Sequence, residues 1–274
     1  MKIDSHQHFW YYKPERDTWI TDDMSVLKQD YLPANLRRNL HDHGFDGSVA
    51  VQADQSEDET AFLLELADAN SFIRGIVGWT DLRSPALQER LAYFKSFPKV
   101  KGFRHVVQAE KMGFLNDVSF RNGVKMLAEF GFTYDLLIYH HQLEEALDFV
   151  RALPDVKIVI DHIAKPNIKD REKTHWELQM AAMGTFSNVF CKLSGMVTEA
   201  SWQGWKKKDF FPYLDEVMEA FGPQRLMYGS DWPVCLVAGN YDAQLDIVES
   251  YISALSISEQ KAIMGENAVK FYSL

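Results

Sequence analysis

Thr133-Tyr134-Asp135-Leu136-Leu137-Ile138, then His141–Leu153, then Val156-Lys157-Ile158-Val159-Ile160-Asp161-His162, spells a strand, a helix and a second strand within residues 133–162. The outer runs are short, apolar and rich in β-branched side chains, as strands buried on both faces are. Between them Leu143, Ala146, Leu147 and Val150 recur at helical spacing. Two buried strands joined by a helix pair in parallel, because a parallel partner needs a crossover.

The same unit recurs in both directions. Further strand-like runs are Lys2–Phe9, Gly47–Ala53, Ile73–Thr80, Val100–Val107, Val189–Gly195 and Arg225–Asp231. Helical patterns cover Glu57–Ala69, Ser84–Phe97, Asp117–Phe130, Asp209–Phe221, Asp242–Leu255 and a last stretch, Ser258–Tyr272. Ser84-Pro85 reads as a cap followed by proline at the first helical position, and Ser258 as a weaker cap. Gly131 and Gly222 stand where helices stop. Eight such units predict an α/β fold, a single (β/α)8 TIM-type barrel over residues 1–274 with an extra C-terminal helix. An open doubly wound sheet is disfavoured, since no Gly-rich phosphate turn follows the first run.

Composition narrows the function. Of 274 residues 46% are hydrophobic and 25% charged, ordinary for a globular chain. A net charge of −10 offers no basic stripe for nucleic acid. No stretch approaches the length of a membrane span, and no signal-like segment stands at residues 1–6. Two cysteines, Cys191 and Cys235, make no disulfide framework, which points to a reducing cytoplasm.

In a parallel barrel, chemistry sits where strands end. Six runs here carry polar groups at or near that position. His6 and His8, two apart, share a strand face and make half of a metal site, or else a hydrogen-bonded interior pair. Arg104 could polarise a carbonyl or form an ordinary ion pair, and His105 follows it as a candidate substrate contact. Asp135 is a carboxylate inside a buried run and needs a partner. Lys192, equally out of place in an apolar strand, either snorkels or pairs with a carboxylate such as Asp135. Of Asp161 and His162 only one can face inward at the pleat, and His162, ending the run, is the favoured one. Lys165 follows. Asp231 stands at the end of the eighth run, after Gly229, which permits close backbone approach, and before Trp232. Trp79 and Trp232 are candidate stacking faces for a ring, whereas Trp10, Trp19 and Trp202 read as packing. His140 and His141 read as a solvated helix start.

Asp4-Ser5-His6-Gln7-His8, Lys101-Gly102-Phe103-Arg104-His105, Asp161-His162-Ile163-Ala164-Lys165-Pro166, Cys191-Lys192-Leu193-Ser194-Gly195 and Tyr228-Gly229-Ser230-Asp231-Trp232-Pro233 together resemble the amidohydrolase superfamily. The resemblance runs over the whole chain and is to the compact amidohydrolase 2 branch, and within it to the lactonases of L-fucono- and L-rhamnono-lactone and of dicarboxylate lactones. It implies that His6, His8 and Asp231 hold a divalent metal, zinc foremost, weakly bound or dispensable. It implies further that Asp231 activates water and that His162 orients substrate or stabilises charge. The chain departs from the metal-holding pattern at the fifth strand, where no histidine occurs unless the strand runs on to His140.

The expected reaction is hydrolysis of a sugar-acid lactone to the aldonate, with Asp231 as base, His162 and Arg104 assisting, and His105, Trp79, Lys165, Lys192 and Trp232 binding substrate. The alternatives are hydrolysis of an anionic pyrone- or muconolactone-type acid, which wants converging arginines, a metal-dependent decarboxylase, and a non-catalytic binding barrel. The expected partner is a small lactone, with neither nucleic acid nor membrane; a homodimer is left open.

Overall fold

The computed structural model describes all residues, 1–274. Eight strands form one parallel sheet in chain order: β1 (Ile3–Gln7), β2 (Gly47–Val51), β3 (Ile73–Gly78), β4 (Val100–His105), β5 (Thr133–Leu136), β6 (Ile158–Ile160), β7 (Val189–Leu193) and β8 (Leu226–Tyr228). Helices α1 (Pro33–Asp42), α2 (Glu57–Ala69), α3 (Leu87–Lys95), α4 (Val118–Phe130), α5 (Leu143–Arg151), α6 (Thr174–Gly184), α7 (Lys207–Phe221) and α8 (Tyr241–Ile252) alternate with the strands. The sheet closes at β1 and β8: the Asp231 N–H donates to the His6 carbonyl at 2.9 Å, and the His8 N–H to the Trp232 carbonyl at 2.7 Å. A Cβ on Gly229 would lie 2.6 Å from His6 Cβ, so this seam closes only because residue 229 lacks one. The (β/α)8 barrel is therefore as expected.

Every strand is as short as or shorter than its apolar run, most of all β6 and β8, because the chain turns out of the ladder where polar residues begin. Caps explain several boundaries. Ser56 Oγ accepts from the Glu59 N–H at the start of α2, and Asp117 accepts from the N–H groups of Ser119 and Phe120 at the start of α4. Two expected caps are corrected. Ser84 and Pro85 form a turn ahead of α3, which begins at Leu87. The N-cap of the first C-terminal helix is Ser256, not Ser258, because Ser256 and Glu259 satisfy each other's backbone in a capping box.

The expected final helix is two, α9 (Ile257–Lys261) and α10 (Asn267–Tyr272), separated by a wide turn at Ala262–Glu266. Gly265 lies there against the first strand, and a Cβ on it would sit 2.2 Å from the Met1 carbonyl oxygen. The break lets α10 turn under the barrel. Phe271 and Tyr272 pack there with Ile3, Val49, Val77, Val159 and Met227, all buried, and close the floor. The opposite end holds the polar groups. No helix is long and apolar enough to cross a membrane, and both cysteines are buried free thiols.

Candidate active site

His6 and His8 converge at the C-terminal end of β1, their Nε2 atoms 3.1 Å apart. Alternation alone would send Asp4 to the same side. The register shifts between Asp4 and Gln7, and Asp4 turns outward to accept from the Ser230 N–H at 2.9 Å and the Tyr241 hydroxyl at 3.1 Å. Burial pushes its carboxyl up to about 6. Asp4 thus anchors the loop that carries Asp231.

Asp231, three residues beyond β8 with φ 54°, brings Oδ1 to 3.4 Å from His8 Nε2, 3.8 Å from His6 Nε2 and 3.8 Å from His162 Nε2. Burial works to raise its carboxyl, but His162, His8 and His6 outweigh that and hold it below the usual carboxylate range. His162 is pushed down to about 4, chiefly by burial, against the pull of Asp231 and Asp161. His6 is lowered well below its ordinary value by burial, with Lys192 and His162 adding. An anionic carboxylate therefore faces the neutral imidazoles of His6 and His162 at neutral pH.

The three rings are each fixed from behind. His8 Nδ1 lies 2.7 Å from the Val51 carbonyl, which only an N–H can satisfy, so its Nε2 is the atom turned toward Asp231. His6 Nδ1 lies 3.3 Å from Asp161 Oδ1 and 3.2 Å from Lys192 Nζ. His162 Nδ1 meets Ser194 Oγ at 2.9 Å. Two imidazole nitrogens and one carboxylate oxygen are a zinc donor set, and ligands of a tetrahedral zinc stand roughly 3.3 Å apart. The spacings of His6, His8 and Asp231 match this, and the back-side partners of both histidines are the kind that orient metal ligands. The residues fit a divalent ion.

Beneath them lies a buried charge network. Lys192 Nζ is 2.5 Å from Asp135 Oδ2 and 3.0 Å from Asp161 Oδ1. Arg104 Nη1 is 3.1 Å from Asp161 Oδ2 and 3.4 Å from His6 Nε2, and its Nη2 bonds the Gln52 carbonyl. The Tyr272 hydroxyl donates to Asp135 Oδ2 at 2.7 Å. Two cations balance two carboxylates, which is what burial of all four demands. Lys192, His6 and Arg104 together overcome burial and hold Asp161 well below the usual range, whereas burial leaves Asp135 raised to about 6 despite Lys192.

Several expectations are corrected here. Lys192, expected at the substrate, is wholly buried and locked between carboxylates; its pairing with Asp135 is the alternative foreseen. Asp161 and His162 both reach the site. The pleat rule that allowed only one lapses because β6 ends at Ile160 and His162 adopts φ 54°. His105 joins Glu110 at 2.8 Å and stacks on Phe114, and Trp79 donates to it at 3.5 Å, so neither joins the histidine–carboxylate cluster. Trp232 packs edge-on against Phe9 and Tyr31. Arg104 reaches the cluster but is engaged by Asp161, and no second arginine joins it there as an anionic lactone would want. β5 stops at Leu136, and His140 Nδ1 is held by the Lys165 carbonyl at 2.8 Å. Ser194 and Asp4 carried no assigned role in the sequence; the signals were that Asp4 stands two residues before His6 and Ser194 two after Lys192.

A family model described as amidohydrolase matches residues 3–274. The chain belongs to the amidohydrolase family. It is 42% identical to an L-fucono-1,5-lactonase of Burkholderia multivorans, over all of this chain and 96% of that protein. It is 32% identical to an L-fucono-1,5-lactonase of Burkholderia ambifaria, again over all of this chain and 96% of the other. Among solved structures, an amidohydrolase from Burkholderia multivorans with bound zinc superposes with a TM-score of 0.96 at 41% identity, covering 100% of this chain and 99% of that one.

Proposed function

We propose that this amidohydrolase opens a sugar-acid lactone to its aldonate, using His6, His8 and Asp231 to hold one zinc ion. The observation that carries the reading is the convergence of Asp231 Oδ1 with three imidazole Nε2 atoms at 3.4–3.8 Å. Whole-length kinship with two L-fucono-1,5-lactonases gives the substrate class.

A lactone is an activated ester, so the site has to deliver a nucleophilic water and shelter the charge that gathers on the carbonyl oxygen. When bound, a divalent ion acidifies water and polarises a carbonyl. Asp231, held as a carboxylate, receives the proton of the attacking water. His162 is a neutral imidazole at neutral pH, held by Ser194, with Nε2 turned to the Asp231 side of the opening. The proton that Asp231 takes from water is the one the ring oxygen needs as the ring opens, and His162 hydrogen-bonds on that side. Arg104 is committed to Asp161 and Gln52, so it contributes a fixed positive charge beside His6 rather than a free clamp.

The test combines three readings on purified protein: metal content, turnover of a panel of neutral and dicarboxylate lactones, and the same panel after chelation. The expected result is turnover of neutral sugar lactones, loss on chelation and recovery with zinc. Asp231→Asn lowers kcat by about 10²–10⁴-fold. Near-normal turnover in that variant overturns the assignment.

A further inference from the structure

Four consecutive non-glycine residues, His162, Ile163, Ala164 and Lys165, have φ of 54°, 48°, 59° and 47°. Each left-handed residue costs about 1–2 kcal/mol, so such a turn persists only where the surroundings impose it. Here the Lys165 N–H donates to the His162 carbonyl at 2.8 Å, Trp176 Nε1 to the Ile163 carbonyl at 2.8 Å, and the Lys165 carbonyl meets His140 Nδ1 at 2.8 Å. One turn three residues long brings side chains 162 and 165 to the same side. His162 faces Asp231, so Lys165 stands beside it at the same opening.

Glu199 approaches from the neighbouring loop, the turn Met196–Glu199 that follows β7 and Ser194. Its Oε1 is 3.9 Å from Lys165 Nζ and accepts from Thr198 Oγ1 at 3.1 Å. Lys165 Nζ makes no hydrogen bond of its own and lies 5.2 Å over the Tyr139 ring. The two side chains are 15% and 19% exposed, too covered to be ordinary surface charges and too far apart to satisfy each other. Glu199 lies within electrostatic reach of Asp231, which joins burial in raising its carboxyl.

We propose that Lys165 and Glu199 form a hydroxyl-reading clamp, Lys165 donating to and Glu199 accepting from adjacent ring hydroxyls of a neutral, polyhydroxylated lactone. The inference rests on the lactone reading of the site and deepens it. A diol offers both an acceptor and a donor, which is what an ammonium beside a carboxylate requires. A carboxylate substituent would be met by Glu199, whose charge opposes it.

The experiment compares kcat/KM for L-fucono-1,5-lactone and for unsubstituted δ-valerolactone in the wild-type holoenzyme, Glu199→Gln and Lys165→Met. Both lactones are read on the same preparation, so any loss of folded protein cancels from their ratio. The expected result is a fall of about 10–100-fold in the preference for the hydroxylated lactone, the range for a hydrogen bond to a charged group. Lys165→Arg, which keeps a donor, retains more of that preference than Lys165→Met. A ratio within about threefold of wild type in both variants overturns the clamp while leaving the lactonase reading standing. Wild-type protein that opens neither lactone defeats the reading and the clamp together.

Discussion

The two ends of this barrel are built on opposite principles. At the floor, Phe271 and Tyr272 seal a plug of Ile3, Val49, Val77, Val159 and Met227, where a single hydroxyl, that of Tyr272, reaches up to Asp135. At the mouth, within the length of a few residues, the same strands carry two buried cations, two buried carboxylates and three imidazoles around Asp231. Packing gives the floor its stability without specifying any bond direction. The mouth is held by directed bonds that stabilise little net but fix which nitrogen and which oxygen point inward. Stability and chemistry are thus segregated along one axis.

That segregation can be broken from either side. The largest effect is expected at Lys192, which joins the two regimes. Lys192→Met leaves Asp135 and Asp161 facing each other without their shared cation, and should cost about 3–5 kcal/mol of unfolding free energy. It should also abolish turnover, since His6 loses its back-side support; urea unfolding and a lactone assay read both. Phe271→Ala creates a cavity in the floor and should cost about 3–5 kcal/mol, with turnover per folded molecule unchanged. Activity lost in step with stability there would dissolve the distinction between the two ends.

A smaller test uses another buried carboxyl, that of Glu59. Glu59 accepts from the Ala53 N–H at 3.1 Å and has no cation within ion-pair distance. Burial raises it from 4.5 to about 7. Its protonated form is the one the folded protein favours, so its contribution is fully present below about pH 4.5 and is lost as pH rises toward 7. Comparing wild type with Glu59→Gln by urea unfolding at pH 5 and pH 7.5, the wild type should lose about 2–3 kcal/mol relative to the variant. A pH-independent difference would mean that Glu59 stays ionised in the fold, supported by the nearby charge of Arg16.

The barrel was legible because it rests on repetition, eight apolar runs separated by helical spacing. So were the convergence of His6 with His8 and the pairing of Lys192 with Asp135, since a period of two and the cost of unpaired buried charge are local rules. What the sequence left unread, and the one place where the pleat rule misled, fall where those rules stop applying. Asp4 leaves the face of His6 at a register shift no single strand encodes. Asp161 and His162 serve one site because the strand ends between Ile160 and them, and the pleat has no say in a left-handed turn. Glu199 sits on a loop, where spacing carries no information, and only three-dimensional proximity to Lys165 singles it out.

The closing seam has a further consequence. The backbone bonds that join His6 to Asp231 and His8 to Trp232 are also what bring the two histidines proposed to hold metal to their carboxylate, although more than two hundred residues of chain separate them. A nascent polypeptide still lacking its last strand would own the imidazoles but not the oxygen they need. Hydrolytic competence therefore arrives late in biosynthesis, and only in a molecule whose ring has already shut.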